Sequence, residues 1–221
     1  MLQPTTTTNS PSPVITALAP DPRRPGAVRI SARDVTWTIA AADVAACGAR
    51  VGLAVDDALR EALERAADAE AAFRTALRAI EQRSHARTDL GRKLVKKGHA
   101  RSAVEVALER CTALGLLDDA AYARHFVETR AARGRGPARL RRDLYAMGVA
   151  GTHVDAALAH VQTDGEHAGE QALALAARRA GQLGGVPREA RKRRLLAFLA
   201  RRGYSGEAAR AAVQKVLRAA A

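Results

Sequence analysis

The side chains with the greatest chemical potential do not form a recognised catalytic set. Asp118 and Asp119 are adjacent carboxylates, but they stand at the start of an apolar helical stretch, where N-capping explains them better than metal binding does. Cys47 and Cys111 lie far apart, and no cysteine or histidine near them has metal-ligand spacing. We therefore expect a protein that is not an enzyme, with no catalytic residue, metal or cofactor, and with two free thiols in a reducing cytoplasm.

Positive charge is the dominant chemical feature. Lys and Arg number 36 against 23 Asp and Glu, which gives a formal net charge of +13. Such an excess favours a polyanionic partner: nucleic acid, an anionic membrane surface or an acidic protein. The basic residues cluster in three places, and we expect DNA or protein-filament contacts from Arg92, Lys93, Lys96, Lys97, Arg130, Arg133, Arg135, Arg139, Arg142, Arg193, Arg194, Arg201 and Arg202.

The glycines of Gly134-Arg135-Gly136-Pro137 could suggest a phosphate-binding loop. No strand precedes them, and neither GK[ST] nor GxGxxG follows, so the motif is a poor match. We interpret the segment as a helix stop, with Pro137 in the first turn of the next helix, that presents Arg133 and Arg135 to a partner.

A repeated pattern positions these charges. The template is leucine, three residues, leucine, three residues, glycine, and it occurs as Leu90, Leu94, Gly98; Leu140, Leu144, Gly148; and Leu195, Leu199, Gly203. Leucines four apart share a helix face, and a glycine one turn later fits a helix C-terminus. A second helix follows each glycine, and in the first repeat Ser102 and Glu105 have the form of a capping box.

One more helix precedes each pair, roughly at Asp68–Gln82, Asp119–Ala132 and Glu170–Gln182. Three helices in about 50 residues bury little alone, so neighbouring repeats must stack. The pairs resemble helix–turn–helix units, but the second helices largely lack the Asn and Gln that read bases. Contact with a backbone or a protein is therefore favoured over base readout.

The N-terminal part differs from the rest of the chain. Residues 1–13 are rich in Thr, Ser and Pro, which is typical of a disordered tail. Val14 to Leu18 and the alternating residues from Val28 to Ile39 predict strands, with a turn at Ala32-Arg33-Asp34 and with Trp37 in the core. Helix formers dominate from Asp56 onward, and Asp56 or Asp57 is the expected N-cap.

The predicted fold is mainly α: three tandem three-helix repeats in an elongated curved array, preceded by a small N-terminal β-hairpin or sheet. The predicted divisions are a tail at 1–13, a β-rich segment at 14–55, and repeats at 56–112, 113–163 and 164–221.

The stretch LGLLDDAAYARHFVETRAARGRGPARLRRDLYAMGV, which spans 114–149, resembles the central motif of the RecX family. The matching features are the Leu-Asp-Asp start, the aromatic pair Tyr122 and Phe126, the Gly-x-Gly-Pro and the closing Met-Gly. The flanking segments SHARTDLGRKLVKKGH and RRLLAFLARRGYS also fit. The resemblance covers about residues 68–218.

This resemblance implies a regulator, usually an inhibitor, of the RecA recombinase. Members are thought to lie in the groove of the RecA–single-stranded DNA filament and to reduce its ATPase, strand-exchange and co-protease activities, which links them to DNA repair, recombination and the SOS response. It implies a cytoplasmic protein, expected to be a monomer, whose partners are the RecA filament and single-stranded or duplex DNA, with no membrane. The alternative is a general DNA- or RNA-binding helical-repeat module unrelated to recombination.

Overall fold

A computed structural model describes residues 12–162 and 165–219, with the side chains of 160–168 excepted. The strands are β1 (Ile15–Pro20), β2 (Ala27–Ala32) and β3 (Val35–Ala40). The helices are α1 (Asp43–Ala46), α2 (Asp57–Gln82), α3 (Arg87–Lys96), α4 (Arg101–Ala113), α5 (Asp119–Ala131), α6 (Pro137–Ala146), α7 (Gly151–Gln162), α8 (Gly165–Ala180), α9 (Arg188–Arg202) and α10 (Gly206–Ala219). The prediction of a mainly helical chain with a small N-terminal sheet is confirmed.

The three strands form one antiparallel sheet in the order β1-β2-β3. Ile30 pairs with Trp37 across a two-residue turn, and both side chains are buried. The alternation of apolar and polar residues thus places one face of the sheet in a core, which confirms the prediction for Trp37. Residues 1–11 of the predicted disordered tail, 1–13, lie outside the described residues. Pro13, the last residue of that predicted tail, is held in place, because its carbonyl accepts a hydrogen bond from the Val55 N–H at 2.8 Å.

The prediction that a helix begins at Asp56 or Asp57 is confirmed, because α2 starts at Asp57 and is a single element of 26 residues that also includes the predicted helix Asp68–Gln82. Its sequence contains no glycine or proline, so nothing interrupts it. The Asp56 side chain caps it by accepting a hydrogen bond from the Leu59 N–H at 2.8 Å. Within the helix, the buried Glu70 carboxylate binds Arg74 at 2.6 Å and Arg110 at 2.7 Å, which joins α2 to α4.

The capping box predicted at Ser102 is wrong. Helix α4 begins at Arg101, so its N-cap residue is Ala100, two positions before Ser102, and it makes no side-chain cap. Instead, the Ala100 N–H donates to Asp68 Oδ2 of α2 at 3.2 Å. A carboxylate from a different helix therefore takes the place of a local cap. Helix α8 also differs from its predicted bounds, since it begins at Gly165 and ends at Ala180.

The chain divides into two compact units. Unit 1 comprises residues 1–82 and 91–116, and unit 2 comprises residues 83–90 and 117–221. Unit 1 contains the sheet, α1, α2, α4 and most of α3. Unit 2 contains α5 to α10 and the first turn of α3. The predicted division into repeats at 56–112, 113–163 and 164–221 remains a prediction.

The repeat template is visible at all three of its occurrences. Its six leucines, Leu90, Leu94, Leu140, Leu144, Leu195 and Leu199, are each 0% exposed. Its glycines have φ values of 96° at Gly98, 80° at Gly148 and 91° at Gly203. Only glycine adopts this left-handed conformation without strain, so each glycine ends its helix and turns the chain into the next one.

Two of these glycines also permit close packing inside unit 2. A Cβ atom added to Gly148 would lie 2.5 Å from the Thr88 Cβ near the start of α3. At the equivalent place one repeat later, Gly203 packs against Arg139 near the start of α6, and the Gly136 N–H donates to the Arg202 carbonyl at 2.7 Å. The end of each middle helix therefore contacts the start of the preceding one. This contact brings the end of α9 to the loop that carries Arg133 and Arg135.

Candidate nucleic-acid interface

The basic residues predicted for the first repeat lie on or just after α3, in unit 1. Arg92, Lys96 and Lys97 are exposed, and Lys93 is half-buried. Helix α3 turns its leucines inward and so leaves these four residues at the surface or its edge. They form an accessible basic patch on the surface of unit 1.

In the second repeat, an aspartate neutralises part of the predicted basic cluster. Arg135 Nη1 lies 2.8 Å from Asp143 Oδ2, and Arg139 Nε lies 3.1 Å from Asp143 Oδ1. We call Arg135, Arg139 and Asp143 the paired cluster. Its formal charge is +1 rather than +2, and two of the donors already have an acceptor. Arg142, on the same helix, is exposed.

Arg130 and Arg133 both lie near the end of α5, but their surroundings differ. Arg130 is half-buried, and its guanidinium carbon lies 5.0 Å from the centre of the Phe126 ring, a cation–π distance. Arg133 is exposed and stands beyond the helix end. Helix α5 stops at Ala131 and α6 starts with Pro137 in its first turn, which confirms the helix-stop interpretation of the intervening glycines.

Unit 2 contains a cavity of about 560 Å³ between the end of α5, α8 and α9. Four guanidinium groups line it, and we call it the arginine cavity after them: Arg133, Arg178, Arg179 and Arg202. No carboxylate is among its lining residues in the described part of the chain. None of the four arginines makes an ion pair with any residue that the structure describes. The arginine cavity is therefore a concave positive site without an acidic residue among its described lining residues.

The Phe198 ring orients two of these arginines. The guanidinium carbon of Arg202 lies 5.1 Å from the ring centre and that of Arg179 lies 5.8 Å from it. Arg202 and Phe198 are four residues apart on α9 and therefore share a face. Stacking on a half-buried ring restricts the guanidiniums without neutralising them, which prepares them to bind an anion.

Two glutamines complete the cavity wall, and both have their carbonyl oxygens engaged. The Arg179 Nη1 donates to Gln182 Oε1 at 2.6 Å, and the Tyr204 hydroxyl donates to Gln171 Oε1 at 3.0 Å. Burial raises the pKa of Tyr204, so its hydroxyl keeps its proton at neutral pH.

The loop before α6 forms the remaining wall. Gly134 has φ of 74°, and a Cβ atom there would lie 3.3 Å from both Arg202 Nη1 and Leu175 Cδ1. Glycine at this position therefore keeps the wall clear of side-chain atoms. The hydrogen bond from Gly136 to the Arg202 carbonyl holds the loop against the end of α9.

The predicted site residues thus divide by location. Arg133 and Arg202 come together in the cavity, and Arg135 and Arg139 meet at Asp143. Arg193, Arg194 and Arg201 are exposed on α9 but do not line the cavity. The sequence reasoning missed Arg178, Arg179, Phe198, Gln171 and Gln182. The sequence signal for these residues was the pair Arg178-Arg179. The pair lies in the last turn of α8, the first helix of its repeat, just as Arg130 lies in the last turn of α5, the first helix of the preceding repeat.

Other kinds of site are not seen in the described residues. Across 12–162 and 165–219, no three His, Cys, Asp or Glu side chains are placed to hold a metal ion. Among the helices of those same ranges, none combines the length and apolar character needed to cross a membrane.

Comparison with known proteins finds one family. Residues 118–158 match the profile of RecX, second three-helix domain, and residues 169–213 match RecX, third three-helix domain. The regulatory protein RecX of Halorhodospira halophila is 38% identical over 150 residues, which are 67% of this chain and 90% of that protein. The regulatory protein RecX of Xanthomonas oryzae pv. oryzae (strain MAFF 311018) is 37% identical over 139 residues, 63% of this chain and 84% of that protein.

Solved structures share the fold. A crystal structure of regulatory protein RecX has a TM-score of 0.74, covers 92% of this chain and 98% of its own, and is 21% identical. RecX from Lactobacillus salivarius has a TM-score of 0.59, covers 67% of this chain and 96% of its own, and is 19% identical.

Proposed function

The chain belongs to the RecX family, and from this premise we propose that it is a non-catalytic regulator of the RecA recombinase. In this proposal it binds the RecA–single-stranded DNA filament in the cytoplasm through its basic residues. By occupying the filament it reduces ATPase, strand-exchange and co-protease activity, and so limits recombination and the SOS response.

The observation that carries the proposal is the arginine cavity. Four guanidinium groups converge on one concave surface with no carboxylate among the described lining residues. Four cations held close together on one concave surface repel one another, so an anion supplied from outside the unit is favoured there. The phosphates of DNA in the filament, or acidic residues of RecA, are anions of the required kind.

The exposed basic residues of α3 support a second point of contact. Lys96 and Lys97 stand two positions and one position before Gly98, as Arg201 and Arg202 stand before Gly203. All four are exposed. The second repeat has Ala146 and Met147 at these positions, so the pattern joins the first and third repeats only.

A general DNA- or RNA-binding module is the alternative, because a basic cavity by itself does not select RecA. The two functions differ in what is bound most tightly. We expect the affinity for RecA–DNA filaments, measured by co-sedimentation over a salt series, to exceed the affinity for the same DNA without RecA. Equal affinity for both would favour the general module, and no binding to filaments at low salt would contradict the proposal.

An enzymatic role is tested separately. If the chain were a nuclease, supercoiled DNA would be nicked in the presence of Mg²⁺ or Mn²⁺ and not in the presence of EDTA. We expect no difference between the two conditions.

A further inference from the structure

We infer that the arginine cavity binds one phosphodiester group and the adjoining nucleotide of a single-stranded nucleic acid. This inference rests on the proposed function and assigns a specific site to its DNA contact. It depends on the hydrogen-bonding character, the size and the shape of the cavity.

The charged groups among the described residues that line the cavity are all cations. The four arginines cannot accept a hydrogen bond. The two glutamine oxygens each accept one hydrogen bond from within the protein, from Arg179 and from the Tyr204 hydroxyl. A ligand must therefore be rich in acceptors and negatively charged, and a phosphate group with its flanking ester and sugar oxygens has this character.

The size of the cavity exceeds that of a phosphate alone. A volume of about 560 Å³ lies within the range of small-molecule sites, which is roughly 300 to 1,000 Å³. Leu175, Ala132 and Ala174 contribute apolar surface beside the arginines. This combination of a cationic and an apolar part suits a nucleotide with an unstacked base.

The concave shape favours a single strand over a duplex. In a duplex the bases are paired and stacked, so a protein reaches the backbone and the base edges in the grooves, but a whole nucleotide cannot enter a cavity unless it is unpaired. A single strand can insert a nucleotide between α8 and α9, where Phe198 and the stacked guanidiniums form the floor.

Ala174 offers a direct test, because it is exposed and lines the cavity. Ala174→Glu places a negative charge beside the arginines, and Ala174→Gln adds a side chain of the same size without the charge. Ala211→Glu, at an exposed position of α10 outside the cavity lining, makes the same change in net charge elsewhere in unit 2. Helix propensity is similar for Glu and Gln, so the fold of α8 is retained.

The measurement is the anisotropy of a fluorescein-labelled oligothymidylate, titrated with the full chain between about 50 and about 200 mM salt. We expect Ala174→Glu to weaken binding roughly tenfold and to reduce the slope of log K against log salt by about 0.7, the value of one single-strand phosphate contact. Ala174→Gln fills part of the cavity without adding charge, so it should weaken binding several-fold less than Ala174→Glu and keep the salt slope of the parent chain. Ala211→Glu should stay within about twofold of the parent chain.

The other possible results of this titration can be told apart, because each contradicts a different part of the proposal. Equal weakening by Ala174→Glu and Ala211→Glu would overturn the cavity as the DNA site while leaving the proposed function intact. Equal weakening by Ala174→Glu and Ala174→Gln would overturn recognition by charge. Unchanged oligothymidylate binding with loss of filament binding would assign the cavity to an acidic protein segment and overturn the inference. A parent chain that binds neither oligothymidylate nor filaments would overturn the proposed function as well.

Discussion

The paired cluster and the arginine cavity are both built on arginines, and Arg133 of the cavity lies close in sequence to Arg135 of the paired cluster. The two regions differ because the carboxylate of Asp143 belongs to the paired cluster, whereas no carboxylate is among the described residues that line the cavity. Arg135 and Arg139 lie 2.8 Å and 3.1 Å from the oxygens of Asp143. The cavity arginines have an aromatic ring and amide oxygens as neighbours and no acidic partner among the described residues. The number of arginines in a segment is therefore a poor guide to its anion affinity, because an internal acceptor competes with any external one.

The largest effect should come from Gly203, on which the position of both clusters depends. Gly203→Ala combines an unfavourable φ of 91° with a contact against Arg139 and the Gly136 carbonyl. Gly185→Ala is the control, since its φ is 73° but no atom lies within 4 Å of the added Cβ. In urea unfolding, we expect Gly203→Ala to lower the free energy of unfolding by about 1–3 kcal/mol more than Gly185→Ala does. Equal losses would show that only the backbone angle matters there.

The next largest effect compares the two clusters directly. Arg178→Ala with Arg202→Ala should weaken oligothymidylate binding roughly tenfold or more and reduce the salt slope by about 0.7, the value of the one phosphate contact in the cavity. Arg135→Ala with Arg139→Ala removes the same formal charge, but those arginines are already paired with Asp143. We therefore expect the second variant to lose several-fold less affinity in the same anisotropy titration. A reversed order would contradict the difference between the clusters.

A smaller effect on DNA affinity should follow when the carboxylate that pairs with Arg135 and Arg139 is removed. Asp143→Asn removes the carboxylate and leaves a neutral amide of the same shape. We expect DNA affinity to rise roughly threefold with a slightly steeper salt slope, because Arg135 and Arg139 become available to phosphate. The cost in stability should stay below about 1 kcal/mol, since both arginine side chains are more than a third exposed. Asp155→Asn, which releases Arg141, is a control for the change in net charge.

The smallest effect concerns the start of α5, the helix whose end leads to Arg133. The Ala121 N–H donates to Asp118 Oδ1 at 2.9 Å, and this hydrogen bond lowers the pKa of Asp118 below its ordinary value of 3.8. A lowered pKa means that the carboxylate stabilises the fold above 3.8 and that this contribution is lost as the pH falls through the lower, folded pKa. Asp118→Asn keeps a capping oxygen, so thermal melting should show less acid sensitivity between pH 4 and pH 2, roughly the window of an aspartate. Identical pH profiles for both proteins would contradict this role of Asp118.

Much of the fold could be predicted because its determinants are local. Leucines four apart followed by glycine specify a helix, its buried face and its end without reference to distant residues. The alternation that includes Ile30 and Trp37 specified the strands in the same way. The cap of α4 could not be predicted, because Asp68 reaches it from another helix while Ser102 has the expected local sequence.

The candidate site was only partly predictable for the same reason. Clustered arginines indicated a basic surface, and Arg133 and Arg202 do lie in the cavity. Whether a given arginine is paired depends on tertiary contacts, as between Arg135 and Asp143, which are separated by the start of α6. The contribution of α8 requires Arg179 to meet Phe198 of α9, and no spacing in the sequence indicates that contact.

The central claim, that this chain regulates RecA through its basic residues, is tested most directly by the DNA-dependent ATPase rate of RecA filaments. The rate is measured over a concentration series of the parent chain and of a variant with Lys96, Lys97, Arg201 and Arg202 changed to Glu. A control variant changes four other exposed basic residues to Glu: Arg23, Arg24, Arg210 and Lys215. We predict that the parent and the control reduce the ATPase rate at similar concentrations, whereas the first variant requires roughly tenfold more protein or fails to reduce it. An ATPase rate that the parent chain leaves unchanged at every concentration would contradict the account, and equal inhibition by all three proteins would contradict the assignment of the contact residues.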